Sequence, residues 1–176
     1  MSTLKVDTIA NTAGVTTQRI LQVVQAVKTD TQTILASTSF DFQDITDLSV
    51  TLTPASTSSK ILLIATVNGT VDTRYAGFAF YRGTTKLTVG DAASLRTSVA
   101  FTTGGNSSRT YDEYVMNPAS GSLLDSPSTT SATTYSLKGA AFWQSTTLWI
   151  NRTSYDADAG YSARGISTLT AMEIAG

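Results

Sequence analysis

Apolar residues alternate with hydroxyl residues along much of the chain, and that alternation sets the first expectation. In Leu48-Ser49-Val50-Thr51-Leu52-Thr53, Leu48, Val50 and Leu52 fall on one face and the hydroxyls on the other, the two-residue period of a half-buried strand. Pro54 ends it, and Ala55-Ser56-Thr57-Ser58-Ser59 reads as a turn. The next run, Lys60-Ile61-Leu62-Leu63-Ile64-Ala65-Thr66-Val67, is apolar on both faces and predicts a central strand covered on each side. Asn68-Gly69 then predicts a turn. Phe78 and Phe80 alternate in Ala76-Gly77-Phe78-Ala79-Phe80-Tyr81, and Arg82-Gly83-Thr84-Thr85 joins that run to Lys86-Leu87-Thr88-Val89-Gly90 as a hairpin. Further strands are expected from Leu95 to Phe101, Thr110 to Met116, Thr133 to Phe142, Thr147 to Arg152 and Gly165 to Ile174.

One early segment fits two periods. Ile20, Val23, Val24 and Val27 have helical spacing, whereas Leu21, Val23, Gln25 and Val27 have strand spacing. Its β-branched residues and the following Thr29-Asp30-Thr31-Gln32-Thr33 favour the strand. No long amphipathic helix is written elsewhere. Short strands with turns at regular spacing predict an all-β sandwich or jelly roll.

Both chain ends ask for partners. Leu4, Val6 and Thr8 alternate with Lys5 and Asp7, Ile9 follows, and Ala10-Asn11-Thr12-Ala13-Gly14 reads as a turn. So short a strand cannot bury its apolar side alone, so it needs the main domain (as an edge strand), another copy or another protein. At the other end, Ile166, Met172 and Ile174 face one way and Leu169 and Ala171 the other, which leaves Glu173 on a partly apolar face. A terminal strand apolar on both faces is covered on both, by a symmetric partner or by a position in mid-sheet. Glu173 is then expected to need an Arg partner, within the chain or across an interface, because an unpaired buried carboxylate is costly.

Composition mostly excludes. With 176 residues, 41% of them hydrophobic, the chain is expected to form one core with a short arm. Its 53 Ser and Thr stand where charges usually would, since only 14% of residues are charged. Absence of Cys rules out disulfides, thiolate nucleophiles and Cys-bound zinc, and absence of His removes the commonest general base and metal ligand. A net charge of -1 gives no electrostatic footprint for nucleic acid. The longest apolar run, Ile61-Leu62-Leu63-Ile64-Ala65, is far too short for a membrane helix, and Met1-Ser2-Thr3-Leu4-Lys5-Val6-Asp7 lacks the apolar core of a signal peptide. The protein is therefore expected in the cytosol unless it leaves within a larger particle. Sequons at Asn68, Asn106 and Asn151 are what chance gives a chain this rich in hydroxyls.

Candidate chemistry is sparse. Neither nucleotide-binding glycine pattern occurs, no His is present to activate a serine, and no Ser-x-x-Lys opens a helix. Paired carboxylates remain, as Asp41 with Asp44 and Asp47, Asp112 with Glu113, and Asp156 with Asp158. All lie in or beside loops, where Asp caps turns. Asp156-Ala157-Asp158-Ala159-Gly160 lacks the third oxygen ligand and closing Glu of a calcium loop. No catalytic residue, metal or cofactor is expected. Among the aromatics, Trp149 is expected to be buried, while Tyr75, Tyr111 and Tyr155 are the candidates for display to a sugar.

Several motifs in order resemble a known group. Ser2-Thr3-Leu4-Lys5-Val6-Asp7-Thr8-Ile9 resembles the N-terminal segment of tail-fibre-like virion proteins of marine and freshwater phages, cyanophages especially. Leu52-Thr53-Pro54, Ser58-Ser59-Lys60-Ile61-Leu62, Leu124-Asp125-Ser126-Pro127, Thr134-Tyr135, Leu148-Trp149-Ile150-Asn151-Arg152 and Met172-Glu173-Ile174 extend the resemblance over nearly the whole chain. The domain also resembles the trimeric jelly rolls of the complement and tumour-necrosis-factor type.

The resemblance implies an all-β, single antiparallel jelly-roll sandwich at residues 19–176 with a short extended N-terminal arm at residues 1–18. It implies a non-enzymatic homotrimer in a virion, docked on other virion proteins through Leu4, Val6 and Ile9, and joined about its axis through Trp149, Leu169, Met172 and Ile174. Fibres of this group usually carry a shaft before the terminal domain, and none is written here. Both a short tail or baseplate fibre and a capsid decoration protein fit that departure. Host surface polysaccharide, met by Tyr75, Tyr111 and Tyr155, is a further expected partner. A polysaccharide-binding or polysaccharide-cleaving module is the remaining alternative. Nucleic acid and membrane insertion are not expected.

Overall fold

The two-faced run beginning at Lys60 forms the middle of a sheet, and the other strands are arranged about it. In the computed structural model, residues 19–72, 74–88, 90–91, 94–104 and 114–176 are described. They form β1 (Ile20–Lys28), β2 (Gln32–Leu35), β3 (Gln43–Leu52), β4 (Lys60–Val71), β5 (Tyr75–Arg82), β6 (Thr85–Lys86), β7 (Phe101–Gly104), β8 (Asn117–Asp125), β9 (Thr133–Ala141), β10 (Thr147–Ile150) and β11 (Ser167–Ile174). No helix among them is long and apolar enough to cross a membrane.

Two antiparallel sheets result. On one edge β4 pairs with β8, from Ile61 opposite Asp125 to Gly69 opposite Asn117. Its other edge is shared end to end by β11, up to Thr66 opposite Thr168, and β10, from Gly69 opposite Ile150. Beyond these, β1 flanks β11 and β2 flanks β10, so the first sheet has four columns. The second sheet runs β3, β9, β5, with β6 and β7 sharing the far edge of β5. Apart from β5, β6 and β7, which stay in the second sheet, successive columns alternate between the sheets, in jelly-roll order. The protein is therefore the expected all-β jelly-roll sandwich.

The core lies between the sheets. Ile61, Leu63, Ala65 and Val67 of β4 are fully enclosed, facing Leu48 of β3, Phe78 and Phe80 of β5, and Leu137 of β9. Arg82 reaches Asp125 through Nη1 at 2.8 Å, and the Tyr135 hydroxyl donates to the same carboxylate at 2.8 Å. That cluster ties the end of β8 to β5 and β9 in the opposite sheet. Burial first, then the Asp125 carboxylate, pushes the Tyr135 phenol well above its ordinary range, so it remains a proton donor.

Several local expectations needed correcting. The ambiguous segment is β1, a strand. Asn68-Gly69 is no turn: β4 runs through it to Val71, and neither residue has the positive φ that a two-residue hairpin requires. Its neighbours explain why, since Asn68 donates through Nδ2 to Ile166 O at 2.6 Å and accepts from the Asn151 amide at 2.8 Å. Strand pairing ends with Lys86 in the hairpin segment, and residues 94–100 form no strand before β7. Residues 110–113 lie outside the described set, and 114–116 are not a strand.

β8 was missed because Asn117-Pro118-Ala119-Ser120-Gly121-Ser122 has turn composition. It pairs with β4 alone, an edge position that tolerates Pro118. Gly121 is needed for close approach, because any Cβ there would collide with the Phe101 ring, which stacks on Phe78 at 5.0 Å.

Asn151 holds the point where β10 gives way to β11. With φ of 60°, a conformation Asn tolerates, it directs Nδ2 to the carbonyls of Lys28 and Asp30, each at 2.9 Å, while Oδ1 accepts from Ser167 Oγ at 2.6 Å. The breaks between β1 and β2 and between β10 and β11 are thus fastened by one enclosed amide. Its sequon is buried and cannot accept a glycan in the folded chain. Asn151→Ala removes three hydrogen bonds and leaves buried carbonyls unpaired, so urea unfolding at fixed protein concentration is expected to show a loss of about 3 kcal/mol. A loss below about 0.5 kcal/mol would contradict this role.

Candidate assembly face and surface clusters

β4 has two apolar sides, and only one of them is inside the sandwich. Pairing registers align the outward residues of the first sheet in rows across all four columns. The first row is Val23 opposite Met172, opposite Leu62, opposite Leu124. Next come Gln25, Thr170, Ile64 and Ser122, then Val27, Thr168, Thr66 and Ser120. None of these twelve residues is charged. Val23 is 54% exposed, Leu124 49% and Val27 46%, on a face that antiparallel sheets normally make polar when it meets water. Within it Gln25 Nε2 donates to Thr170 Oγ1 at 2.8 Å. Beyond the Val23 row, Ile20 lies opposite Ile174 and Ile174 opposite Lys60, where the uncharged rows end.

β11 divides as its pattern predicts. Met172 and Ile174 face outward, half-buried, and belong to this face; Leu169 points the other way and is fully enclosed in the core. Leu169 therefore cannot meet a neighbouring subunit, because its turn of the alternation belongs to the sandwich interior. Trp149, expected to be buried, is instead half-buried on the outer side of β10, since Leu148 and Ile150 occupy the inward positions. The Arg152 guanidinium lies 6.0 Å from its ring centre.

Glu173 is enclosed, and its partners within the chain are not Arg. Its carboxylate accepts from Gln22 Nε2 at 2.6 Å and from the Ala55 amide at 2.7 Å, which ties β1 and the turn before β4 to the end of β11. Burial alone would raise this carboxyl; hydrogen bonds from Gln22 and the Ala55 amide, with the Ser59 hydroxyl nearby, outweigh it and hold the group below its ordinary value of 4.5.

Aromatic residues at the surface form two separate clusters. Tyr155, 43% exposed, packs with Tyr114 at 5.3 Å and with Tyr161 at 6.2 Å between ring centres. This cluster borders the outer side of β4, because Val115, beside Tyr114, accepts the Thr70 hydroxyl of β4 through its carbonyl. Tyr75 belongs to the second sheet, 4.8 Å from Phe142 and 5.9 Å from Phe40. Trp143 and Arg74 complete that group. Tyr111 and the arm residues Leu4, Val6 and Ile9 lie outside the described residues.

Of the other candidate carboxylates, Asp41, Asp44 and Asp156 have partners close by. Asp41 accepts from Ser37 at 2.6 Å, Asp44 pairs with Lys138 at 3.0 Å, and Asp156 is bracketed by Arg152 and Arg164. Asp112 and Glu113 lie outside the described residues. Among the described residues, no three acidic side chains converge as a metal site would require.

The outward positions of β4 were legible in its two-faced run, but Leu124 was not, because β8 was unrecognised. Trp143, just after β9, carried no periodic signal at all. No family model matches the chain, and no curated protein matches it.

Since the Glu173 carboxyl lies below its ordinary value of 4.5 in the folded state, its stabilisation is full above that value and fades as pH falls through the folded one. Glu173→Gln is expected to cost about 2 kcal/mol near neutral pH, and the gap to the parent should narrow towards about pH 3 in urea titrations. A gap independent of pH would contradict the assignment.

Proposed function

We propose that the chain is a structural component of a phage particle, a homotrimeric short tail or baseplate fibre that docks through residues 1–18 and displays its jelly roll outward. The observation that carries this reading is the row Val23, Met172, Leu62, Leu124, an apolar band crossing every column of one sheet and open to solvent. A face with no charged residue in its three rows offers nothing for a partner of opposite sign to recognise, and charge depletion is typical of the centre of an interface between copies. Three copies, rather than two, rest on the resemblance to trimeric jelly rolls.

The chain ends support the docking role. Ala175 donates its amide to Arg19 O at 2.8 Å, so the arm departs beside the C-terminus, at the margin of the same face. In a trimer closed by that face, three arms leave from equivalent places and give a multivalent attachment.

Native mass measurement is expected to give three times 18.6 kDa. Leu124→Asp, a surface change costing about 0.5 kcal/mol or less within one subunit, should give a folded monomer at the same concentration. A monodisperse parent chain of 18.6 kDa refutes the trimer. Removing residues 1–18 should leave the trimer intact and abolish its recovery with purified particles; recovery at the full-length level refutes the docking role.

A further inference from the structure

The cluster around Tyr75 borders a hollow of about 640 Å³, within the size range of small-ligand sites. It opens on the outer side of the second sheet, away from the apolar rows of the first. Small residues shape it: Gly77 leaves room for Phe40, and Val99 of the crossing segment packs so closely there that no Cβ would fit. The hollow lies where loop residues 39–40, 95–99 and 142–143 meet over Tyr75 of β5 and Thr102 of β7.

Its lining is aromatic, aliphatic and hydroxylic with one cation, Arg96, and Arg74 stands beside two of its rings. Trp143 is 58% exposed although its ring is flanked by Phe142 at 5.8 Å and by the Arg74 guanidinium at 6.0 Å. Arg74 also lies 5.4 Å from the Phe142 ring and has φ of 61°, a conformation uncommon for a non-glycine residue. Such strain is retained where neighbouring structure fixes it, and here it sets a guanidinium against two rings. Arg96 lines the hollow with the hydroxyls of Ser39, Thr97 and Thr102, and no carboxylate is among the described residues lining it.

We infer that this hollow binds a saccharide bearing a carboxylate. An exposed indole offers a platform for the C–H face of a pyranose ring, and the hydroxyls can exchange hydrogen bonds with those of the sugar. Guanidinium groups meet carboxylates with two parallel hydrogen bonds, which neutral sugars cannot supply. Placement on the second sheet leaves the site open when the first is covered, so the inference does not depend on the assembly proposed above.

The test is calorimetric titration of the full chain with trigalacturonate and with sialyllactose, against maltotriose as the neutral control. Saturable binding of at least one acidic probe, with a dissociation constant of about 1 mM or tighter, is expected, and maltotriose should bind at least about tenfold more weakly. Trp143→Ala and Arg96→Gln should each weaken the acidic probe about tenfold or more, whereas Trp149→Phe should leave it unchanged. Leu124→Asp should still bind, which separates failure here from failure of the trimer. Equal affinity for acidic and neutral sugars, no saturable binding by either acidic probe, or full binding by folded Trp143→Ala would overturn the inference.

Discussion

A single strand, β4, sets the terms for the molecule, because both of its faces are apolar and one sandwich can cover only one. The inner residues Ile61, Leu63, Ala65 and Val67 are enclosed between the sheets. Leu62 and Ile64 are left on the outside, in rows that Val23, Met172 and Leu124 make continuous. Burying apolar area is worth roughly 25 cal/mol per Å², so a band of this kind open to water represents free energy available to association. The fold and the proposed assembly are two consequences of that one pattern.

With few charges, the protein fixes its irregular points through neutral and locally paired polar groups. Asn151 fastens two strand breaks with one side-chain amide, Gln22 and a backbone amide hold Glu173, and Lys28 is enclosed against Asp30 at 2.8 Å and Thr46 at 2.7 Å. These three buried groups are satisfied by neighbours within the same protomer, so none of them adds a charge to the three apolar and hydroxyl rows that association would have to desolvate. The abundant Ser and Thr fill outward rows and turns, polar enough for water and cheap to bury.

Where a residue's neighbours along the chain determine its state, the pattern was readable. Leu48, Val50 and Leu52, the Gly83 hairpin and both sides of β11 follow from alternation and turn chemistry. Failures came where distant strands decide. Asn68-Gly69 is locally a turn, but the Asn151 amide and Ile166 carbonyl meet it and keep β4 extended. β8 is a strand because Gly121 admits Phe101 from the other sheet, and nothing nearby in sequence announces that. For Glu173, burial was anticipated, while the partners it has within the chain were not, since Gln22 and the Ala55 amide are far from it in sequence. Likewise Tyr75 and Tyr155 are exposed, yet they belong to different clusters, and the packing beside the Trp143 hollow depends on Gly77 of β5, which reads only as part of a strand.

Met172 sits in the apolar row and oxidises readily, so it reports directly on whether that face is covered. Hydroxyl-radical footprinting at matched concentration is predicted to show Met172 strongly protected in the parent chain and released in Leu124→Asp. Equal oxidation of Met172 in both would mean the face stands open in solution and would contradict the account.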